Sequence, residues 1–236
     1  MNAPASTSMA GEAGGLPALL RSATWPLHAE VERAGLMRRL LAGRIERTDY
    51  VALLQNLGAI YAALEPLLLQ HRADPALAPI HDPALHRTVA LRADLRFLAG
   101  AVPRAPALAR ATQTYVERLH EIGRCAPRLL AAHAYVRYLG DLSGGQALQR
   151  VVGRALRLPG PDGLRFYDFG DAAAVARRAQ VFRQGLAAIR LDDAAAAELV
   201  AEAQRAFALH GDLFRELDTA PGGPSAPPSA VVGGLR

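Results

Sequence analysis

The chain has 236 residues, of which 51% are hydrophobic, and a net charge of +5. That is enough apolar material for one domain with a full core and too much for a disordered chain. Every basic residue is arginine, but the arginines are scattered along predicted helices without interleaved aromatics, which argues against a nucleic-acid partner and suits an acidic protein or an anionic ligand.

The first fifteen residues, MNAPASTSMAGEAGG, are small and polar. They are expected to be disordered, and they lack the basic start and apolar run of a secretory signal. Helical periodicity then takes over. Leu20, Ala23, Leu27, Val31 and Ala34 form one apolar stripe, closed by Gly35, with Pro17 suited to the first turn. Pro26 should kink this helix or mark its start near Trp25. Thr48 is placed to cap a second helix carrying Tyr50, Leu53, Leu54, Leu57, Tyr61, Leu64 and Leu68. Leu85 to Leu98 predicts a third and Thr112 to Ile122 a fourth. Arg128 to Leu158 predicts a long fifth, ended by Pro159 and Gly160. An aromatic connector, Arg165 to Gly170, precedes helices over Asp171–Ile189 and Asp193–Leu217. The tail from Thr219 is rich in Pro, Gly and Ser and is expected to be disordered. The reading is an all-α, single-domain helical bundle over residues 16–218. No apolar stretch approaches the 18 residues of a membrane span, so a soluble protein is expected. The single cysteine, Cys125, permits no internal disulfide, reads as structural, and fits a reducing cytoplasm.

The fifth helix contains the most informative stretch, AHAYVRYLGDLSGGQ at Ala132–Gln146. Gly140, Gly144 and Gly145 should loosen it, since each glycine costs about 1 kcal/mol relative to alanine. The apolar pattern nevertheless resumes at Ala147 and Leu148. A helix weakened in this way has usually gained close approach of its backbone to a ligand or to another helix. The residues alone leave both readings open. Asp141 lies inside the expected break, where it is either a chemical group or an N-cap for the helix that resumes.

This stretch closely resembles the distal-helix signature of the haem oxygenases. Leu20–Glu32, LRSATWPLHAEVE, resembles their proximal segment. The likeness runs from about Leu20 to Leu217. It implies a haem sandwiched between a proximal N-terminal helix and a glycine-kinked distal helix. It also implies oxygen-dependent cleavage of haem b, which is both substrate and cofactor, to biliverdin, carbon monoxide and ferrous iron.

The resemblance carries over residue by residue. His28 matches the haem-ligating histidine. Glu32, one turn on, would orient its second ring nitrogen, as iron-bound histidines require. Gly140 and Gly144 match the close-approach positions, and Ser143 lies between them. Asp141 matches the aspartate that organises water around the activated oxygen, with Arg137 and Tyr61 in the same network. Arg21, Tyr135 and Arg183 match contacts to the haem propionates. A second basic position on the sixth helix falls on Ala179, with Arg177 and Arg178 beside it; the retained Arg183 favours attack at the α position and hence biliverdin IXα. Met37, Phe207 and Phe214 match apolar pocket contacts. His133 reads as a hydrogen-bonded structural histidine, and the remaining histidines, His210 among them, carry no pattern.

No zinc spacing, P-loop or dinucleotide fingerprint is present, and no Glu-x-x-His pair that would build a di-iron bundle. Electrons would therefore come from a separate donor, a ferredoxin with its reductase or another flavoprotein. Two other classes compete. A non-degrading haem carrier would share His28 and the arginines but have no need of Asp141. A thiaminase-like hydrolase would need a cysteine nucleophile, which nothing around Cys125 suggests.

Overall fold

A computed structural model describes residues 15–99 and 107–219. The outer parts of both ends expected to be disordered lie outside the described residues. The elements, in order, are α1 (Leu16–Arg33), α2 (Gly35–Leu41), α3 (Arg47–Gln70), α4 (Thr88–Ala99), α5 (Arg110–Cys125), α6 (Leu130–Ala134), a π-helical turn (Tyr135–Leu139), α7 (Gly140–Ala155), α8 (Ala172–Ala188) and α9 (Asp193–Thr219). No strand occurs among the described residues.

Two long helices organise the bundle. α3 packs against α4, α5, α6 and α9, while α9 also packs against α1, α2 and α5. At 24 residues α3 is long and apolar enough to cross a membrane by length and composition, although the sequence pattern did not suggest such a stretch. It is mostly buried inside the bundle instead. Two of its buried polar side chains have internal partners: Asn56 accepts the Ala109 N–H at 2.9 Å and the Thr112 hydroxyl at 2.7 Å. Glu65 accepts the backbone N–H groups of Arg87 and Thr88.

Several expected boundaries move for local physical reasons. α1 does not start at Pro26 but continues through it, the Ser22 carbonyl that loses its N–H partner and Pro26 both being exposed to water. Gly35 closes one helix and opens another, α2. Its φ of +35° turns the chain, and a Cβ there would strike the Phe214 carbonyl. α3 starts one residue before Thr48; Asp49 accepts the Glu46 N–H at 3.0 Å and closes the first turn. Pro17 does occupy the first turn of α1, and Asp171 caps α8 by accepting the Ala174 N–H at 2.7 Å.

The expected glycine break takes a different form. The irregularity is the π-helical turn Tyr135–Leu139, and α-helix resumes at Gly140 itself and continues through Gly144 and Gly145. Helical hydrogen bonding tolerates glycine at a modest cost per residue, whereas a π turn adds a residue to the helical register.

The aromatic connector is pinned from both sides. Asp94 on α4 accepts the Arg165 and Phe166 N–H groups at 2.9 and 2.8 Å. Arg87 donates to the carbonyls of Asp168 (2.7 Å), Ala84 and Leu85, with its guanidinium 3.8 Å above the Phe169 ring. The connector thereby holds Phe166 edge-on to Tyr61 and Tyr167 against Gly145 of α7.

Candidate active site

α1 and α7 are held apart. Both pack on α2 and α8 rather than substantially on each other. On α7, a Cβ added to Gly140 or Gly144 would meet nothing within 4 Å. These glycines, spaced i, i+4 on one face, leave open space where longer side chains would project. Ser143 is exposed between them.

On α1, His28 and Glu32 are half-exposed at 49% and 52%, with His28 Nδ1 3.7 Å from Glu32 Oε1. That leaves Nε2 as the nitrogen available to a metal. The imidazole is flanked by Phe207, edge-on at 6.0 Å, and by Trp25, nearly parallel at 6.2 Å. Sequence reasoning did not single out Trp25, which is 64% exposed. Among the described residues no three His, Cys, Asp or Glu side chains converge to hold a metal ion.

Behind Gly140 lies a buried charged cluster. Arg137 donates from Nη2 to Asp141 Oδ1 at 2.8 Å and from Nε to the Tyr61 hydroxyl at 3.1 Å, and Tyr61 donates to Asp141 Oδ2. Asp141 sits in the first turn of α7 but is not an N-cap, because the π turn supplies the preceding helical turn. Burial pushes its carboxyl up from the usual range, with Arg137 and Tyr61 opposing the shift. Burial also pushes Tyr61 well up, so its proton stays on the phenol. Arg137 remains protonated, since Asp141 and the neighbouring phenol oxygens outweigh its loss of hydration.

The cluster continues into α9 and α5. Arg137 Nη1 lies 2.9 Å from His210 Nε2, and His210 Nδ1 lies 2.8 Å from the Ala206 carbonyl. Tyr115 packs edge-on to His210 at 5.0 Å and hydrogen-bonds His133 Nδ1 at 3.0 Å. His133 Nε2 reaches Glu202 at 3.0 Å, which Arg118 also holds at 2.6 Å. His210, Tyr115 and Glu202 escaped sequence reasoning. Their side-chain partners lie on other elements, and no local spacing marks those pairings.

The other predicted residues fall in three environments. Arg21 and Arg183 are exposed on the packed pair α1 and α8, whereas Ala179 is buried and Arg178 faces Asp82 at 3.5 Å. Tyr135 bonds Thr24 at 3.1 Å; Thr24 gives its own proton to the Leu20 carbonyl, so the Tyr135 hydroxyl is the donor and ties the π turn to α1. Met37 and Phe207 are half-buried, while Phe214 lies within the core against His210. Cys125, read as structural, is exposed at the end of α5.

The fold and the candidate site together define an all-α bundle with a half-exposed histidine on one helix and, on another, an open glycine face backed by a buried carboxylate. The comparisons specify it. The heme oxygenase family model matches residues 15–216. Heme oxygenase 1 of Homo sapiens is 39% identical over 205 residues, covering 84% of this chain and 70% of its own. Heme oxygenase 1 of Synechocystis sp. is 36% identical, covering 86% and 85%. The heme oxygenase structure from Leptospira interrogans superposes with a TM-score of 0.81 at 35% identity, covering 86% and 100%. Heme oxygenase-2 of Synechocystis, solved in complex with heme and NO, superposes with a TM-score of 0.82 at 35% identity, covering 86% and 85%. The chain belongs to the haem oxygenase family.

Proposed function

We propose that this chain cleaves haem to biliverdin, carbon monoxide and ferrous iron, using dioxygen and electrons from a separate donor. The observation that carries the reading is the buried Arg137–Asp141–Tyr61 cluster beside the open face of Gly140 and Gly144. A binding protein has no use for a charged cluster in that position.

The donor set fits the ligand. A lone histidine holds a metal firmly only when the metal brings its other ligands with it, as iron does in a porphyrin. His28 Nε2 would hold the iron, with Glu32 orienting the ring through Nδ1. The open glycine face would admit a flat macrocycle, and Ser143, Met37 and Phe207 would contribute contacts to it. Bound haem supplies the metal that activates dioxygen and is itself the molecule oxidised.

The protein's own part is proton management. Asp141 accepts one hydrogen bond on each oxygen, leaving further lone pairs for water. Water hydrogen-bonded to this carboxylate, whose orientation Arg137 and Tyr61 fix, would deliver protons from one side. Arg21 and Arg183, with Tyr135, would grip the propionates, set the in-plane orientation and direct attack to the α edge, giving biliverdin IXα. The basic surface suits a ferredoxin with its reductase or another flavoprotein. The single cysteine and the need for a reduced donor point to the cytoplasm.

The test is to add one equivalent of hemin, record the absorption spectrum, and then supply ascorbate or a ferredoxin–reductase system in air. Decay of the Soret band with growth of a broad red biliverdin band is expected. A Soret band that persists under both reductants would favour a carrier, and no Soret band would reject haem as the ligand.

A further inference from the structure

His210 is a fully buried titratable group on α9 that none of the roles above employs. Its two ring nitrogens have unambiguous partners. The Ala206 carbonyl can only accept, so Nδ1 must carry the proton. The guanidinium of Arg137 can only donate, so Nε2 must offer its lone pair. The ring is thus a neutral imidazole of one tautomer. Its burial and the Arg137 charge both hold its pKa well below the ordinary range.

Arg137 is gripped at three points: Nε by Tyr61, Nη2 by Asp141 and Nη1 by His210. The first two partners are themselves joined through the Tyr61–Asp141 hydrogen bond. They close a triangle that ties the π turn and α7 to the buried Tyr61 of α3. The third point anchors that triangle to α9, a different helix. Without the His210 acceptor the Nη1–H would be buried unsatisfied, and a guanidinium that tilts toward water or another acceptor would shift the Asp141 carboxylate it holds.

We infer that His210 is a positioning residue for haem oxidation: by accepting the Arg137 Nη1–H at its Nε2, it locks the guanidinium that orients Asp141. This rests on the oxygenase reading and extends it to a side chain 73 residues from Arg137 in sequence. His210 does not reach the reacting atoms. It acts through Arg137, in the way that outer partners orient inner ones at other polar sites.

Two variants separate the acceptor from the ring. His210→Phe keeps an aromatic ring against Tyr115 and Phe214 but removes the acceptor. His210→Gln places an amide oxygen at a similar reach to Nε2. Hemin affinity, melting temperature, biliverdin yield and hydrogen peroxide release are measured with a ferredoxin–reductase system. The Phe variant is expected to bind hemin like the wild type while biliverdin per electron consumed falls about tenfold. Hydrogen peroxide should appear in its place, as dioxygen takes two electrons and two protons without oxidising haem. The Gln variant should recover most of the yield. Wild-type yield in the Phe variant would overturn the inference, as would a Gln variant impaired as severely as Phe. Nitrogen NMR of histidine-labelled wild-type protein supplies a check that needs no variant; a His210 protonated at Nε2 would also overturn it. A wild type that makes no biliverdin would instead reject the oxygenase reading.

Discussion

Arg137 and Asp141 meet one helical turn apart, 2.8 Å between guanidinium and carboxylate, with each side chain at most a tenth exposed. The pair straddles the junction of the π turn and α7. That junction brings a buried charge pair up beside the open glycine face. Removing one partner of such a pair strands the other charge away from water. Asp141→Ala is therefore expected to lose about 3 kcal/mol of stability. Asp141→Asn retains the shape and should fold, bind hemin and show the wild-type Soret band, but make biliverdin at least about tenfold more slowly. Hemin titration alongside a turnover assay checks this; wild-type turnover by the Asn variant would remove Asp141 from the chemistry.

His28 contributes little to folding. It is half-exposed, and its contacts are two ring neighbours and a solvent-facing carboxylate. His28→Ala should therefore shift stability by less than about 0.5 kcal/mol, while abolishing the histidine-ligated absorption spectrum. Added imidazole should restore that spectrum in part. An unchanged spectrum in the variant would assign the iron to another ligand.

Gly35 makes the turn between α1 and α2 at positive φ, under the Phe214 carbonyl. Gly35→Ala pays twice, once for the left-handed backbone and once for displacing α9. A loss of about 2 kcal/mol or more is expected, read as a lowered melting temperature. A neutral effect would mean that the α2–α9 contact is looser than described.

The buried polar groups predict the pH dependence of stability. His210 and His133 both have folded pKa values below their ordinary 6.5, chiefly because burial disfavours the charged ring. The unfolded chain then binds more protons, so stability is intact above about pH 7 and falls as pH drops through 6.5. Glu202 is lowered to about 2; burial alone would raise it, but the hydrogen bonds from His133 and Arg118 prevail. Its contribution is present above its unfolded value of 4.5 and lost between there and about pH 2. Thermal unfolding at stepped pH should show both declines, and His210→Gln should flatten the upper one. A stability curve level down to pH 5 would contradict this account.

The bundle and much of the candidate site are legible in the linear chain because the relevant signals are local. Apolar residues three and four apart mark helix faces. The Leu20–Glu32 and Ala132–Gln146 stretches present His28, Glu32, Arg137, Gly140, Asp141 and Gly144 at spacings that a helix converts directly into shared faces. The glycines misled in one respect. They suggested a break at their own positions, whereas the irregular turn lies just before them at Tyr135–Leu139, where no residue type announces it.

Helix type, most helix limits and the residues of the two site segments follow from side-chain periodicity and motif, which a chain carries within any window of a few turns. The pairing of Arg137 with His210, the clamp of Arg87 and Asp94 on the aromatic connector, and the hydrogen bond from Tyr135 to Thr24 come only with tertiary structure. Each joins a donor and an acceptor on separate elements. Which of them meet depends on the register at which helices pack, and a buried polar atom must take whatever partner that register presents.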